Sequence, residues 1–135
     1  MKGNDLKLFW TIIILSFFIG MYIFDKTYNL YSDIITFLSI MIGFKITSIS
    51  ILYNSPLKKS LYDRKNNVYE TELHRLNGFY KHSLFFEVIS VTSLFIITNL
   101  DYKYLLIFPI VLGTLFCFYK TTSELLKIFV HPTNN

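Results

Sequence analysis

Four long apolar blocks constrain this chain more than any other feature. They lie at residues 8–24, 34–53, 79–98 and 104–119, and the charged residues are concentrated between them. A helix rises about 1.5 Å per residue, so a block of about 20 residues crosses a hydrocarbon layer of about 30 Å. The sequence therefore predicts an all-α integral membrane protein, a four-helix bundle in one domain spanning residues 1–135.

The connections between the blocks are unequal in length. Residues 25–33 and 99–103 form short links, which predict two antiparallel hairpins. Residues 54–78 form a long polar link, and residues 120–135 form a tail. Leucines and tyrosines recur at helical spacing in the link, which indicates short amphipathic helices. We expect Ser55-Pro56 to begin one of them, Asn66-Asn67 to form a turn, and Gly78 to separate the link from the third span.

Basic residues are distributed asymmetrically around the blocks. Only Lys26 and Lys103 flank them on one side, and Lys45 lies within a block. The other ten of the 13 basic residues lie in the two ends and the link region: Lys2, Lys7, Lys58, Lys59, Arg64, Lys65, Arg75, Lys81, Lys120 and Lys127. Cytoplasmic loops retain such residues. The bias predicts a multi-pass protein with both ends inside and a basic cytoplasmic face formed by Lys58, Lys59, Arg64, Lys65, Arg75 and Lys81.

Two charged residues lie inside the apolar blocks, Lys45 in the second and Glu87 in the third. A charge near the centre of a bilayer costs about 2.5–3.5 kcal/mol on insertion scales, so such residues face protein or water and have partners. We expect Lys45 and Glu87 to approach each other, within one protomer or across a subunit interface. They either neutralise each other, extend to the interface, or form part of a polar path.

Small and polar residues recur at four-residue spacing in each block. In the second and third they include Ser39, Gly43, Thr47 and Ser90. Such spacing lets helices approach closely, either within the bundle or around the axis of a homo-oligomer, with a tetramer favoured. We treat these four residues, with Lys45 and Glu87, as intramembrane pore candidates. Pro109 in the fourth block predicts a kink.

Motifs for catalysis are not found in the sequence. It contains no H-E-x-x-H, G-x-S-x-G, P-loop or dinucleotide fingerprint, and His74 and His82 lack a third ligand. We therefore expect no enzyme, metal or cofactor. The net charge of +4 is explained by contact with anionic lipid headgroups, without a specific nucleic-acid site. The single Cys117 is expected to pack, and the outer Asp25, Asp33 and Asp101 to be solvated.

The layout resembles the small multi-span membrane proteins of bacterial anti-phage systems of the Hailong and Kiwa types. The similar features are the paired hairpins, the basic link, the residues Gly43-Phe44-Lys45 with the polar positions that follow, and the stretch 51–57. This resemblance implies a membrane-disrupting or ion-conducting effector in the bacterial cytoplasmic (inner) membrane. It also implies control by a cytosolic protein or nucleotide-type regulator at the basic face.

Three functions remain open from the sequence. The first is an oligomeric channel-like effector of antiviral defence, in which the stripe of Lys45 and Glu87 lines an interface or pore. The second is a non-conducting interaction protein, such as a toxin-immunity protein or an anchor for a cytosolic enzyme, with the two charges paired in a closed monomer. The third is a phage holin, which shares the size and the basic tail.

The predicted orientation has a direct test. Protease added outside intact cells should leave the link 54–78 uncut, because this link lies on the cytoplasmic side, and purification should require detergent. Cleavage of the link from outside, or a well-behaved particle without detergent, would contradict the prediction. Gel analysis of the fragments in intact and in permeabilised cells supplies the measurement.

Overall fold

The computed structural model describes residues 3–23, 28–97 and 102–130. Within these ranges the chain is helical, with no named strand, and the elements are α1 (Asn4–Ile23), α2 (Tyr31–Asn54), α3 (Leu57–Asp63), α4 (Glu72–Ile96) and α5 (Ile107–Val130). A 3-10 turn, Lys103–Leu106, leads into α5. The prediction of an all-α fold is confirmed. Some parts of the sequence predictions lie outside the described residues: the span ends Phe24 and Thr98, the link residues Asp25, Lys26 and Asp101, and the chain ends at 1–2 and 131–135.

Three helices are long and apolar enough to cross a membrane: Asn4–Ile23, Tyr31–Asn54 and Lys103–Lys127. The fourth long helix, α4, is outside this group. It has 25 residues, but basic and acidic side chains lie along it, including Arg75, Lys81 and Glu87. Three of the four predicted spans therefore coincide with apolar helices.

The long helices pack side by side in the order α1, α5, α4, α2. The start of α1 meets the end of α5, where Lys120 Nζ lies 2.7 Å from Asp5 Oδ1. The start of α4 meets the end of α5 in the same way, through Arg75 and Glu124. Leu94, near the end of α4, packs with Leu38 in the first half of α2. Each adjacent pair is thus antiparallel, and the start of α1 lies at the same end of the molecule as the link.

The central helix, α4, buries side chains in alternating steps of three and four residues. Seven of its buried positions follow this rule: Leu73, Leu76, Tyr80, Ser83, Glu87, Ser90 and Leu94. A seven-residue repeat on one face is the pattern of helices that pack side by side at about 20°. The seam is apolar at both ends and polar in the middle, so the helix places its polar side chains at mid-height.

Close approach of α1 and α5 depends on two glycines. A methyl group added at Gly20 would lie 3.2 Å from Phe108 Cβ, and one added at Gly113 would lie 2.6 Å from Phe86 Cζ and 2.7 Å from Ile13 Cδ1. These contacts explain a difference from the predicted hairpins. In the described ranges α1 packs mainly against α5 rather than against α2, its neighbour in sequence, because its small residues fit the side chains of α5.

Helix boundaries differ from the sequence predictions at three places. The α4 helix runs through Gly78, because Thr71 caps it seven residues earlier by accepting a hydrogen bond from the His74 N–H. Pro109 is the third residue of α5, so it lies in the first turn of the α-helix, where proline is tolerated. Pro56, rather than Ser55, is the residue before α3.

The turn at Asn66 is confirmed. Its Oδ1 accepts hydrogen bonds from the backbone N–H groups of Val68 and Tyr69, at 2.9 and 3.0 Å. Its Nδ2 donates to Glu72 Oε1 at 2.7 Å, so the turn is tied to the first residue of α4.

Alanine substitutions at Gly113 and at Gly43 should separate the effect of helix packing from that of helix propensity. Gly113→Ala should lower the stability by about 1–3 kcal/mol, because the new methyl group overlaps Phe86 and Ile13. Gly43→Ala is the control, since nothing lies within 4 Å of a methyl group there; it should be neutral or raise stability by up to about 1 kcal/mol. Thermal unfolding in detergent, followed by circular dichroism, measures both. Equal effects would contradict the predicted packing.

Candidate functional site

A buried ion pair joins α2 to α4 at the polar part of the α4 seam. The ammonium group of Lys45 donates hydrogen bonds to Glu87 Oε1 and to Ser83 Oγ. The side chains of Lys45 and Glu87 are 1% and 0% exposed. The expected approach of the two charges is confirmed, and the contact is made within a single chain. Neither side chain extends to the surface.

Other polar groups are buried on α4 and on α5, which packs against it. Ser90 is buried one turn along α4 and donates to the carbonyl of Phe86 at 2.8 Å. Thr114 and Cys117 of α5 are also buried. Within the described ranges, Glu87 Oε2 and Thr114 Oγ1 are buried and have no hydrogen-bond partner. We call Lys45, Ser83, Glu87 and Thr114 the polar layer.

Three of the pore candidates lie elsewhere. Ser39, Gly43 and Thr47 are exposed on the outer side of α2. Because successive residues turn by about 100° on a helix, Gly43 and Lys45 point to nearly opposite sides. The structure therefore places Lys45, Glu87 and Ser90 together in the interior and separates them from the other three. The expectation of one shared stripe was wrong for α2, since its four-residue spacing and Lys45 belong to different faces.

The outer face of α2 carries a continuous line of small and hydroxyl side chains. We call it the α2 stripe; its members are Thr36, Ser39, Gly43, Thr47 and Ser50. The hydroxyls of Thr36, Ser39 and Thr47 donate to backbone carbonyls of their own helix at 2.8–2.9 Å. Hydroxyls satisfied in this way tolerate an apolar environment, and the small side chains leave room for another helix.

The basic end of the molecule is held together by ion pairs. Arg75 Nη2 lies 2.7 Å from Glu124 Oε2, and Arg75 Nη1 lies 3.4 Å from Glu72 Oε2. Lys127 Nζ lies 2.8 Å from Glu124 Oε1. Glu72 and Arg75 are three residues apart on α4, a spacing at which oppositely charged side chains meet. The link also covers this end: burial and the nearby Asp5 carboxylate raise the pKa of the Tyr69 hydroxyl, and Arg75 opposes the shift.

A cavity of about 360 Å³ opens between α3, α4 and α5 at this end. We call it the basic cavity; it is lined by Leu61, Arg64, Lys65, Glu72, Arg75, Leu76, Glu124 and Lys127. Three members of the predicted basic face therefore meet at one place. The other three, Lys58, Lys59 and Lys81, are exposed outside it, and Lys58 Nζ lies 5.1 Å from the centre of the Tyr53 ring.

Neither Ser83 nor Thr114 is among the site candidates predicted from the sequence. The sequence signal for both residues is the alternating spacing of three and four. Ser83 lies one turn before Glu87, and Thr114 lies between Ile110 and Cys117. All five residues are buried. The structure adds the hydrogen bond that joins Ser83 to Lys45.

The fold and this site define an all-helical protein with a buried ion pair and three helices able to cross a membrane. No protein-family model matches the sequence, and comparisons with curated proteins and with solved structures find no match. In the described part of the chain, no group of three or more His, Cys, Asp or Glu side chains could hold a metal ion.

The energetic role of the ion pair can be tested with a double-mutant cycle. Lys45→Met and Glu87→Met should each lower stability by about 3–5 kcal/mol, because each leaves an unpaired buried charge. The double variant should recover most of this loss, since both charges are gone. Lys81→Met, which removes an exposed charge from α4, is the control and should change stability by less than about 0.5 kcal/mol. Unfolding in detergent gives all four values; a double variant as unstable as the singles would contradict the pairing.

Proposed function

We propose that this protein is embedded in a lipid bilayer through α1, α2, α4 and α5, as a four-helix bundle with both ends in the cytoplasm. The outward side chains of the long helices support this placement. Phe18, Ile40, Phe85 and Ile96, for example, are 57%, 65%, 69% and 74% exposed. Soluble monomers rarely expose continuous apolar surface on this scale, and lipid would cover it.

The assignment of α4 as the fourth span rests on where its charges point. Glu87 faces the interior and is paired with Lys45, so lipid would meet neither charge. The outer face of the same stretch is apolar, with Phe85, Val88, Ile89 and Phe95 exposed. Lys81 lies near the basic end, within reach of headgroups for a flexible side chain. Each pair of neighbouring long helices is antiparallel, so the basic segments lie at one end of the molecule. Four spans with both chain ends in the cytoplasm require this arrangement.

Within the membrane, we propose that the protein acts by binding another membrane protein and does not conduct ions. The observation that carries this proposal is the closure of the Lys45–Glu87 pair within one chain, at 1% and 0% exposure. A pore lined by these charges would need them to face water, whereas here they satisfy each other. A toxin-immunity protein against a membrane-active toxin is a form that this function would take, whereas an anchor for a cytosolic enzyme would bind its partner outside the bilayer.

The α2 stripe is the surface best suited to a partner helix. It is exposed along its length, its hydroxyls bond to their own backbone, and nothing lies within 4 Å of a methyl group built at Gly43. Helices in lipid associate through such small-residue faces, where backbones approach closely. The rest of the outer surface of α2 carries bulky side chains, such as Ile40 and Ile51.

An oligomeric channel-like effector of antiviral defence is the second candidate. It is favoured by the two buried oxygens without partners, Glu87 Oε2 and Thr114 Oγ1. Unsatisfied polar atoms in an interior are costly, and a rearrangement that admits water would satisfy them. In this function the α2 stripe would join copies of the chain.

Site-specific photo-crosslinking distinguishes the two candidates. A benzophenone amino acid at Gly43 should crosslink to a different membrane protein in the native host, because the α2 stripe is the proposed partner face. The same probe at Phe95, which is 66% exposed on α4, is the control and should give only lipid adducts. Crosslinks from Gly43 to this chain alone would favour the oligomeric effector. Lipid adducts from both positions would contradict a partner face.

Ion flux provides an independent measurement. Liposomes that contain the purified protein and a potassium-sensitive dye should show no leak above that of empty liposomes. The Lys45→Met/Glu87→Met variant is the matched control for the polar layer, and liposomes that contain it should leak no more than those with the unmodified protein. If the unmodified protein instead conducts potassium while this variant does not, that result would contradict the non-conducting function and support the channel.

A further inference from the structure

We propose that the basic cavity is a binding site for a phosphate group, carried by an anionic lipid headgroup or by a soluble phosphate compound. Six charged side chains line it: Arg64, Lys65, Glu72, Arg75, Glu124 and Lys127. Four are cationic and two are carboxylates, so the lining has a net charge of +2. This site goes beyond the proposed function, which rests on α2 and the polar layer.

The carboxylates of the cavity are already neutralised by their neighbours. Glu124 pairs with Arg75 at 2.7 Å and with Lys127 at 2.8 Å, and Glu72 pairs with Arg75 at 3.4 Å. Among the residues that the structure describes, no carboxylate pairs with Arg64 or Lys65. The excess positive charge is therefore concentrated on these two adjacent side chains at the end of α3.

The position and shape of the cavity suit a phosphate. Arg64 is partly buried and lines the cavity, and a guanidinium presents a fork of N–H groups that matches phosphate oxygens. The volume, about 360 Å³, lies in the range of small-ligand sites. The buried Leu61 and Leu76 supply an apolar floor. If the protein is embedded as proposed, the cavity lies at the cytoplasmic headgroup level.

Two probes separate the possible sources of the phosphate. The full chain is placed in phosphatidylcholine nanodiscs and titrated with inorganic pyrophosphate by calorimetry. In parallel, the chain is purified in detergent with added phosphatidylglycerol, and retained lipid is counted by native mass spectrometry. Binding of pyrophosphate indicates a soluble ligand, and selective retention of phosphatidylglycerol indicates a lipid headgroup; either outcome supports the site.

A matched pair of variants locates the binding. Arg64→Gln/Lys65→Gln should lower the affinity for the probe that binds by about tenfold, because two cations are lost from the cavity. Lys58→Gln/Lys59→Gln removes the same charge from the exposed side of α3 and should leave binding unchanged. Lys127→Gln, on the opposite wall of the cavity, should weaken binding by about threefold and gives a second readout independent of α3. Circular dichroism confirms that each variant is folded.

Two results would overturn this proposal. One is that neither pyrophosphate nor phosphatidylglycerol binds the unmodified chain. The other is an equal loss in both double variants, which would indicate a diffuse attraction to surface charge instead of a site. Because none of these variants touches the α2 stripe or the polar layer, either result would leave the crosslinking and flux tests of the proposed function unaffected.

Discussion

The contact between Lys45 and Glu87 is the interaction on which the arrangement of α2 and α4 depends. Two charges removed from water are tolerated only when they meet with good geometry, and here Ser83 supplies a further hydrogen-bond acceptor. A shift of α2 by one residue along α4 would separate the charges and leave both buried. The pair therefore selects one register, in the way that a single polar residue selects the register of a coiled coil.

The rest of the interior is arranged around this polar layer. Leu38 and Leu94 pack toward one end, and Leu52, Leu76 and Tyr80 toward the other. These apolar clusters keep water from the ion pair, and exclusion of water strengthens the attraction between the charges. The ion pair therefore selects the register, and the apolar clusters stabilise it.

The ion pairs at the basic end are more exposed than the Lys45–Glu87 pair. Arg75 and Lys127 are partly exposed and are shared among carboxylates, so they order the start of α4 and the end of α5 with a modest energetic contribution. Their value is spatial, because they hold the two helices beside the link and form the walls of the basic cavity. The interior ion pair therefore aligns the helices, and the surface network forms the walls of a charged site.

Local properties of the chain were predictable from the sequence alone. The all-α fold, the approximate positions of the four long helices, the turn at Asn66 and the meeting of Lys45 with Glu87 follow from hydropathy, spacing and the cost of isolated charge. These properties depend on neighbouring residues or on one strong energetic term. Tertiary structure decided the rest. The packing of α1 on α5, the outward direction of Gly43 and the placement of Arg64 and Lys127 around one cavity depend on side-chain fit between distant segments. Spacing within one helix does not encode which surface of another helix it will meet.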